Sequence, residues 1–297
     1  MRRPSYTLGL HLLLAPFLAG VLALVLVPAV VSAGYAFTSY DGISPAEFVG
    51  LRSLRRLFAY AEFRRSLVAT GLFVALAVPL RIATGLGLAL LMHRRERLAV
   101  PGRLAAYAPS VLPDAALVLV ALWVVNPAYG PLAVLVRLGG GTPGPLLLDP
   151  WGARLTILGL AVVTVGEGFL VTLAARREVP EVLYDVARLE GARGAGLFAR
   201  VTLPALAPVL GLLSARDLVL SMQVTLVPVL LLTRGGPLSA TTTLPVLAYE
   251  RGFRELRFGD AAAIGVLLLL ATLLVAGVQA LLLRRWTRGG SVVSGGA

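Results

Sequence analysis

The sequence predicts an all-α integral membrane protein with six transmembrane helices. Three observations predict it. Of 297 residues, 58% are hydrophobic and only 14% charged, against about 25% charged in an ordinary soluble domain. The apolar residues gather into six stretches, each long enough to cross about 30 Å of hydrocarbon, which takes ~20 helical residues. The 27 basic residues, all of them Arg, sit mostly around the ends of those stretches. Lipid cannot satisfy an open backbone, so apolar runs of this length must be helical.

The first stretch runs from about Leu8 to Phe37, with no charge between Arg3 and Asp41. Arg2-Arg3, the apolar run and Val31-Ser32-Ala33 also fit a cleavable signal peptide, but the run far exceeds the ~7–15 residues of a signal core. An uncleaved anchor is the reading carried forward, bent but not shortened by Pro16 and Pro28. Ser44-Pro45 then opens a segment with Phe48, Leu51, Leu54, Leu57 and Phe58 at helical spacing and Arg52, Arg55 and Arg56 between them. That alternation predicts a short amphipathic surface helix, either packed at the interface or open to an external partner.

The second stretch covers about 67–92 and the third about 104–126. Residues 127–152 are dense in Pro and Gly, which predicts a compact irregular loop. The fourth stretch covers about 153–175, the fifth about 205–233 and the sixth about 259–283, before a Gly/Ser-rich tail. Trp123 and Trp151 fit interface anchors at span ends. With the N-terminus inside, fourteen Arg fall on the cytoplasmic side (Arg2, Arg3, Arg94, Arg95, Arg97, Arg103, Arg176, Arg177, Arg188, Arg193, Arg200, Arg284, Arg285 and Arg288) and ten outside. The positive-inside rule therefore favours both termini in the cytoplasm. The expected organisation is an N-terminal helix with its external segment (1–66), a five-helix core (67–283) and a flexible tail (284–297).

The formal net charge of +12 coexists with a complete absence of Lys and Cys and only two His, His11 and His93. Without Lys there is no phosphate-binding P-loop lysine and no Schiff base. Without Cys there are no disulfides, thiolate nucleophiles or iron–sulfur clusters. No cofactor or metal is expected. Nucleic-acid binding is disfavoured because the Arg residues are dispersed around helix ends.

The segment between spans four and five differs from the rest. Pro180 suits a first helical position, with Glu178 and Glu181 at the positive end of the helix dipole. Val182, Val186 and Leu189 form a stripe, and Gly191 can adopt a left-handed cap. A second short helix from about Gly194 is expected to stop at Pro204. By residues alone this helix–Gly–helix could be a mere connector.

Its residues also resemble the cytoplasmic loop of binding-protein-dependent ABC importer permeases, whose signature is Glu-Ala-Ala, then Asp-Gly-Ala, then Ile-x-Leu-Pro. Here Asp185-Val186-Ala187, Glu190-Gly191-Ala192 and Val201-Thr202-Leu203-Pro204 stand in those places. Phe48-Val49-Gly50-Leu51, Asn126-Pro127-Ala128-Tyr129-Gly130, Thr233-Arg234-Gly235-Gly236-Pro237, Ser221-Met222-Gln223-Val224 and Phe258-Gly259 resemble further family segments along most of the chain. The likeness is to the maltose and glycerol-phosphate type of sugar permease.

That resemblance implies a type I ABC importer permease architecture in a bacterial inner membrane. It implies a second permease subunit in a heterodimer, a cytoplasmic ABC ATPase dimer, an extracytoplasmic solute-binding protein and surrounding lipid as partners. It implies a transported carbohydrate and no catalysis by this chain, with ATP hydrolysis in the partner. ATPase coupling would fall to Glu181, Asp185, Ala187, Glu190, Gly191, Ala192, Leu203 and Pro204. Charges inside apolar spans are costly and hence candidate pathway groups; here they are Arg81, Asp114, Glu167, Arg216 and Asp217, joined by the polar Gln223. Glu167, flanked by Gly166 and Gly168, and Gln223 are the preferred pathway residues, followed by Asp217 and Asp114. Arg81 or Arg216 could equally pair with a carboxylate on a neighbouring helix. A secondary transporter or channel is the alternative, and would call for matching repeats in the two halves.

Overall fold

The computed structural model describes residues 4–93, 99–223 and 225–290, with side chains over 11–93, 100–223 and 225–283. Arg2, Arg3, Arg94, Arg95, Arg97, Val224, the side chains of Arg284, Arg285 and Arg288, and the tail from 291 lie outside the described residues.

The chain is helical throughout, with fifteen α-helices among the described residues and one isolated β-bridge, Thr38 to Phe48. Helices α1 (Pro4–Val21) and α2 (Val27–Tyr35) are joined by a π-helical turn, Leu22–Leu26. Next come α3 (Arg52–Ala59), α4 (Ala61–Leu91), α5 (Ala99–Tyr107), α6 (Asp114–Val124) and α7 (Pro131–Leu138). Helices α8 (Pro150–Val163), α9 (Gly166–Glu178), α10 (Glu181–Leu189) and α11 (Ala195–Leu197) follow. The last are α12 (Leu203–Gln223), α13 (Leu226–Leu232), α14 (Leu244–Tyr249) and α15 (Phe258–Gly290).

Among the described residues, four continuous helices have the length and apolarity to cross a membrane, at His11–Tyr35, Ala61–Leu91, Ala195–Gln223 and Phe258–Leu283. Two bent pairs raise the count to six, in agreement with the sequence reading. The differences lie in continuity. Expected span three is broken between Val100–Val111 and Asp114–Val124 by 109°. Pro113 explains the break, since it lacks an N–H and biases Leu112 away from helix. Expected span four is bent by 44° between α8 and α9, with no proline at the bend.

Pro204 does not stop the helix before it, contrary to expectation. The chain runs helically from Ala195 to Gln223 through a π-turn at Phe198–Thr202. A proline ring clashes with the carbonyl four residues earlier, here Arg200, and the wider π-turn makes room for it. The same arrangement recurs at Leu22–Leu26, two residues before Pro28. In the 127–152 segment, Pro131 starts an eight-residue helix where an irregular loop was expected.

The described chain divides into two compact units. One comprises Met1–Phe63 with Leu247–Leu269. In it α3 turns Ser53 and Leu57 inward, while Phe48, Leu51 and Phe58 stay exposed. The buried Arg251 guanidinium is held between Glu62 and Glu255 and lies over the Tyr60 ring. The Asp41 carboxylate accepts the backbone N–H groups of Ile43 and Ser44 at 3.0 and 2.7 Å. Those two bonds hold its pKa below the ordinary value of 3.8.

The other unit comprises Arg64–Val246 with Leu270–Ala297. Val118, Ile157, Val229, Leu232 and Val246 form one apolar cluster, built on α6, α8, α13 and α14. Ala89, Phe169 and Leu173, from α4 and α9, form another. Small residues allow close packing where lipid supplies little hydrophobic drive: a Cβ on Gly85 would lie 3.5 Å from the Phe169 backbone N.

Candidate functional site

Two places in the larger unit carry the sequence-predicted residues. The first is α10 and the turn after it. Pro180 occupies the N-cap, one residue before the expected position, with extended dihedrals that suit a proline. At the other end the Gly191 N–H donates to Arg188 O at 3.0 Å and the Ala192 N–H to Ala187 O at 2.9 Å. This is the Schellman pattern, and it requires the left-handed φ of +84° found at Gly191. Nothing lies within 4 Å of a Cβ built at Gly191. The glycine is therefore demanded by backbone conformation, and the space beside it is open.

The two faces of α10 divide cleanly. Tyr184 and Ala187 turn inward with Ala192. The Tyr184 hydroxyl and Thr202 Oγ1 share a buried hydrogen bond of 2.9 Å, and the Arg176 guanidinium stacks 4.5 Å from the Tyr184 ring centroid. The opposite face exposes Val182 (67%), Val186 (49%) and Leu189 (89%). The stripe seen in the sequence is thus the uncovered side. Glu181, Asp185 and Glu190 are exposed around it, with Asp185 paired to Arg188 at 2.7 Å, while Leu203 is half-buried and Pro204 exposed.

The second place is the bend between α8 and α9. A helix break frees carbonyls at the end of one half and N–H groups at the start of the next. Arg81 from α4 takes the carbonyls: Nη1 donates to Ala161 O at 2.5 Å and to Thr164 Oγ1 at 3.1 Å, and Nη2 to Thr164 O at 3.5 Å. Its Nε donates to Asp217 Oδ2 of α12 at 3.2 Å. On the far side of the bend the Gly166 N–H donates to Ser110 Oγ at 2.9 Å. Ser110 lies in a 3-10 turn, Ala108–Val111, at the break of span three. The two discontinuities therefore meet. A Cβ on Gly166 would stand 2.9 Å from Tyr107 Cα, so only glycine fits there.

Glu167, in the first turn of α9, pairs with Arg216 of α12, and Arg216 also reaches Asp217 at 3.5 Å. Arg81, Asp217, Arg216 and Glu167 thus form a continuous chain of alternating charge. Its Arg81–Asp217 end is buried, the side chains 14% and 5% exposed, whereas Glu167 and Arg216 are open. A lone charge at the centre of a bilayer costs about 2.5–3.5 kcal/mol on insertion scales. Mutual pairing removes most of the reason to regard Arg81 and Asp217 as solute ligands.

A cavity of about 230 Å³ opens beside the bend, lined among others by Phe73, Asp114, Leu117, Glu167, Arg216 and Thr225. Glu167 and Asp114 are brought together there, Gln223 is exposed and absent from its lining, and Asp217 is turned to Arg81 instead. Asp114 sits in the first turn of α6, beside the break, and not inside an unbroken span. Sequence reasoning missed Ser110, Thr164, Tyr184 and Thr202. Pro113, two residues before which the first helix of the pair ends, was the one available signal for Ser110.

The model of the binding-protein-dependent transport system inner membrane component family matches residues 81–288. The chain is 30% identical over 222 residues to the sn-glycerol-3-phosphate transport system permease protein UgpA of Rhizobium meliloti, covering 75% of this chain and 76% of that protein. It is 29% identical over 281 residues to the sulfoquinovosyl glycerol transport system permease protein SmoG of Agrobacterium fabrum, covering 92% and 89%. Its fold matches a chain of a bacterial alginate ABC transporter solved in complex with an alginate pentasaccharide-bound periplasmic protein. The TM-score is 0.84 at 20% identity, over 95% of this chain and 96% of that one.

Proposed function

Because the chain belongs to the binding-protein-dependent transport system inner membrane component family, we propose that it is the pathway-forming permease subunit of an ATP-driven carbohydrate importer. The names of its relatives, which carry glycerol phosphate and a sulfosugar glycoside, support a polyhydroxylated solute. The chain carries no bond chemistry of its own. ATP hydrolysis belongs to a separate ATPase dimer, and the pathway is completed by a second permease subunit. An extracytoplasmic solute-binding protein delivers the cargo, in keeping with the periplasmic protein bound to the alginate transporter.

The observation that carries this reading is α10: an exposed apolar stripe ending in a glycine turn with open space beside it. In this proposal Val182, Val186 and Leu189 enter a cleft on the ATPase, and Glu181, Asp185 and Glu190 provide the polar rim. Ala187 and Ala192 hold the turn from within, and Leu203 and Pro204 open the helix that follows it. Both termini face the cytoplasm with this loop. The expected division into an N-terminal segment, a five-helix core and a tail assigns docking and pathway to the core. Solute passes the cavity at Glu167 and Asp114, whose carboxylates accept from sugar hydroxyls. Gln223 meets solute elsewhere on the pathway, and Asp217 contributes by holding Arg81.

Co-expression with the cognate ATPase and partner permease tests the proposal. Gly191→Asp places a Cβ and a charge on a left-handed turn at the docking face. Membrane insertion should be unchanged and ATPase co-purification lost. A complex that assembles and hydrolyses ATP normally with Gly191→Asp rules the docking assignment out.

A further inference from the structure

The bend in span four lacks proline, and three of the polar groups at it are met by side chains from other spans. The Ala161 and Thr164 carbonyls go to Arg81, and the Gly166 N–H goes to Ser110. An inserted side chain is one recognised cause of a kink without proline, because a bare carbonyl in an apolar interior lacks a donor. The guanidinium suits this place. Its planar fork serves two carbonyls and a hydroxyl on one side while Nε meets Asp217 on the other. It also brings positive charge to the negative end of the α8 dipole.

The position of the bend gives it a mechanical meaning. Helix α9 leads, after Val179 and Pro180 alone, into α10. Any rotation imposed on α10 is therefore transmitted by α9 to the bend, where Glu167 begins the cavity lining. Helix α12, which carries Asp217 and Arg216, packs on α9 and descends through the π-turn into the same loop. Arg81 stands on α4, outside that connected pair.

We infer that Arg81 is a positioning residue and the fixed pivot of the transport movement: its guanidinium holds the end of α8 in place while α9 swings with the docking helix, and Asp217 keeps the guanidinium aimed. The inference rests on the permease reading above. It predicts that losing the guanidinium frees the bend angle and uncouples hydrolysis from transport without detaching the ATPase.

The chain has no Cys, so introduced thiols label without background. Leu155→Cys on α8 and Val171→Cys on α9 are exposed sites, about 24 Å apart along an unbroken helix. Nitroxide distance distributions on the full chain in nanodiscs report the bend. Arg81→Met should at least double the width of the distribution, and in the assembled complex raise ATP consumed per solute moved at least fivefold. Arg81→Lys, which keeps charge and one donor, should recover part of both. Asp217→Asn, which leaves the carbonyl bonds in place, should widen the distribution less than Arg81→Met, and it reads the same pivot should Arg81→Met fail to insert.

The exchange R81D/D217R separates a pivot from simple charge balance. It restores neutrality but puts a carboxylate against the two carbonyls, so width and coupling should stay impaired. Recovery of both by the exchange overturns the inference, as does a wild-type width and coupling ratio in Arg81→Met. A chain whose bend responds to Arg81 but that binds no ATPase retains the pivot and removes the permease reading.

Discussion

Helix α10, the proposed docking element, and the bend between α8 and α9 are built on opposite plans. At the bend, freed backbone groups, a guanidinium and a carboxylate satisfy one another inside the chain. On α10 the glycine turn meets the last carbonyls, yet an apolar stripe of Val182, Val186 and Leu189 is left uncovered. A saturated polar cluster in a low-dielectric interior fixes geometry, because each lost partner leaves an expensive orphan. An uncovered apolar stripe on a loop helix suits a contact with a partner, as the proposed function requires. One place holds an angle and the other offers a contact.

The comparison breaks most visibly on the stripe. Leu189→Glu should cut ATPase capture more than tenfold, measured by co-purification, while leaving thermal unfolding of the chain unchanged. An equal loss of stability would mean that the stripe packs on the chain itself. At the bend the pattern should reverse. Gly166→Val forces a side chain onto the Tyr107 backbone and should destabilise by about 1–3 kcal/mol, the usual cost of overpacking. Detergent thermal unfolding reads that loss, with ATPase capture by the surviving folded chain intact.

The smallest effect belongs to a site outside both. The Asp41 pKa is lowered by the Ile43 and Ser44 N–H groups, so its contribution to ordering that turn is complete above the unfolded value near 4 and is lost as pH falls through the lower folded value. Amide exchange of Ile43 and Ser44, taken relative to the intrinsic rate at each pH, should therefore quicken below about pH 4. In Asp41→Asn it should be faster at neutral pH and lose that pH dependence.

Much of the site was legible in one dimension. The α10 stripe, its acidic start and its glycine turn are local features, separated by no more than a few residues. Their identity and spacing therefore appear in the sequence. Which side of the stripe faces out did not, because Tyr184 is buried by Thr202 and Arg176, and no periodicity within α10 distinguishes its two apolar faces. The bend at Thr164–Val165 left no mark either. It has no proline, and the groups that sustain it come from Arg81, Ser110 and Asp217 on three other helices. Pro204 misled in the other direction, since a π-turn absorbs a clash that a regular helix cannot.

By itself, then, the sequence determined the membrane-spanning class, the six apolar segments and the docking signature. Hydrocarbon thickness and backbone satisfaction leave no other structure for such runs, and caps act over one turn. Only the tertiary structure decided where span four bends, which charges pair and which carboxylates share the cavity. Those outcomes depend on contacts between residues 49 to 136 positions apart, from Glu167–Arg216 to Arg81–Asp217, and no local pattern encodes them.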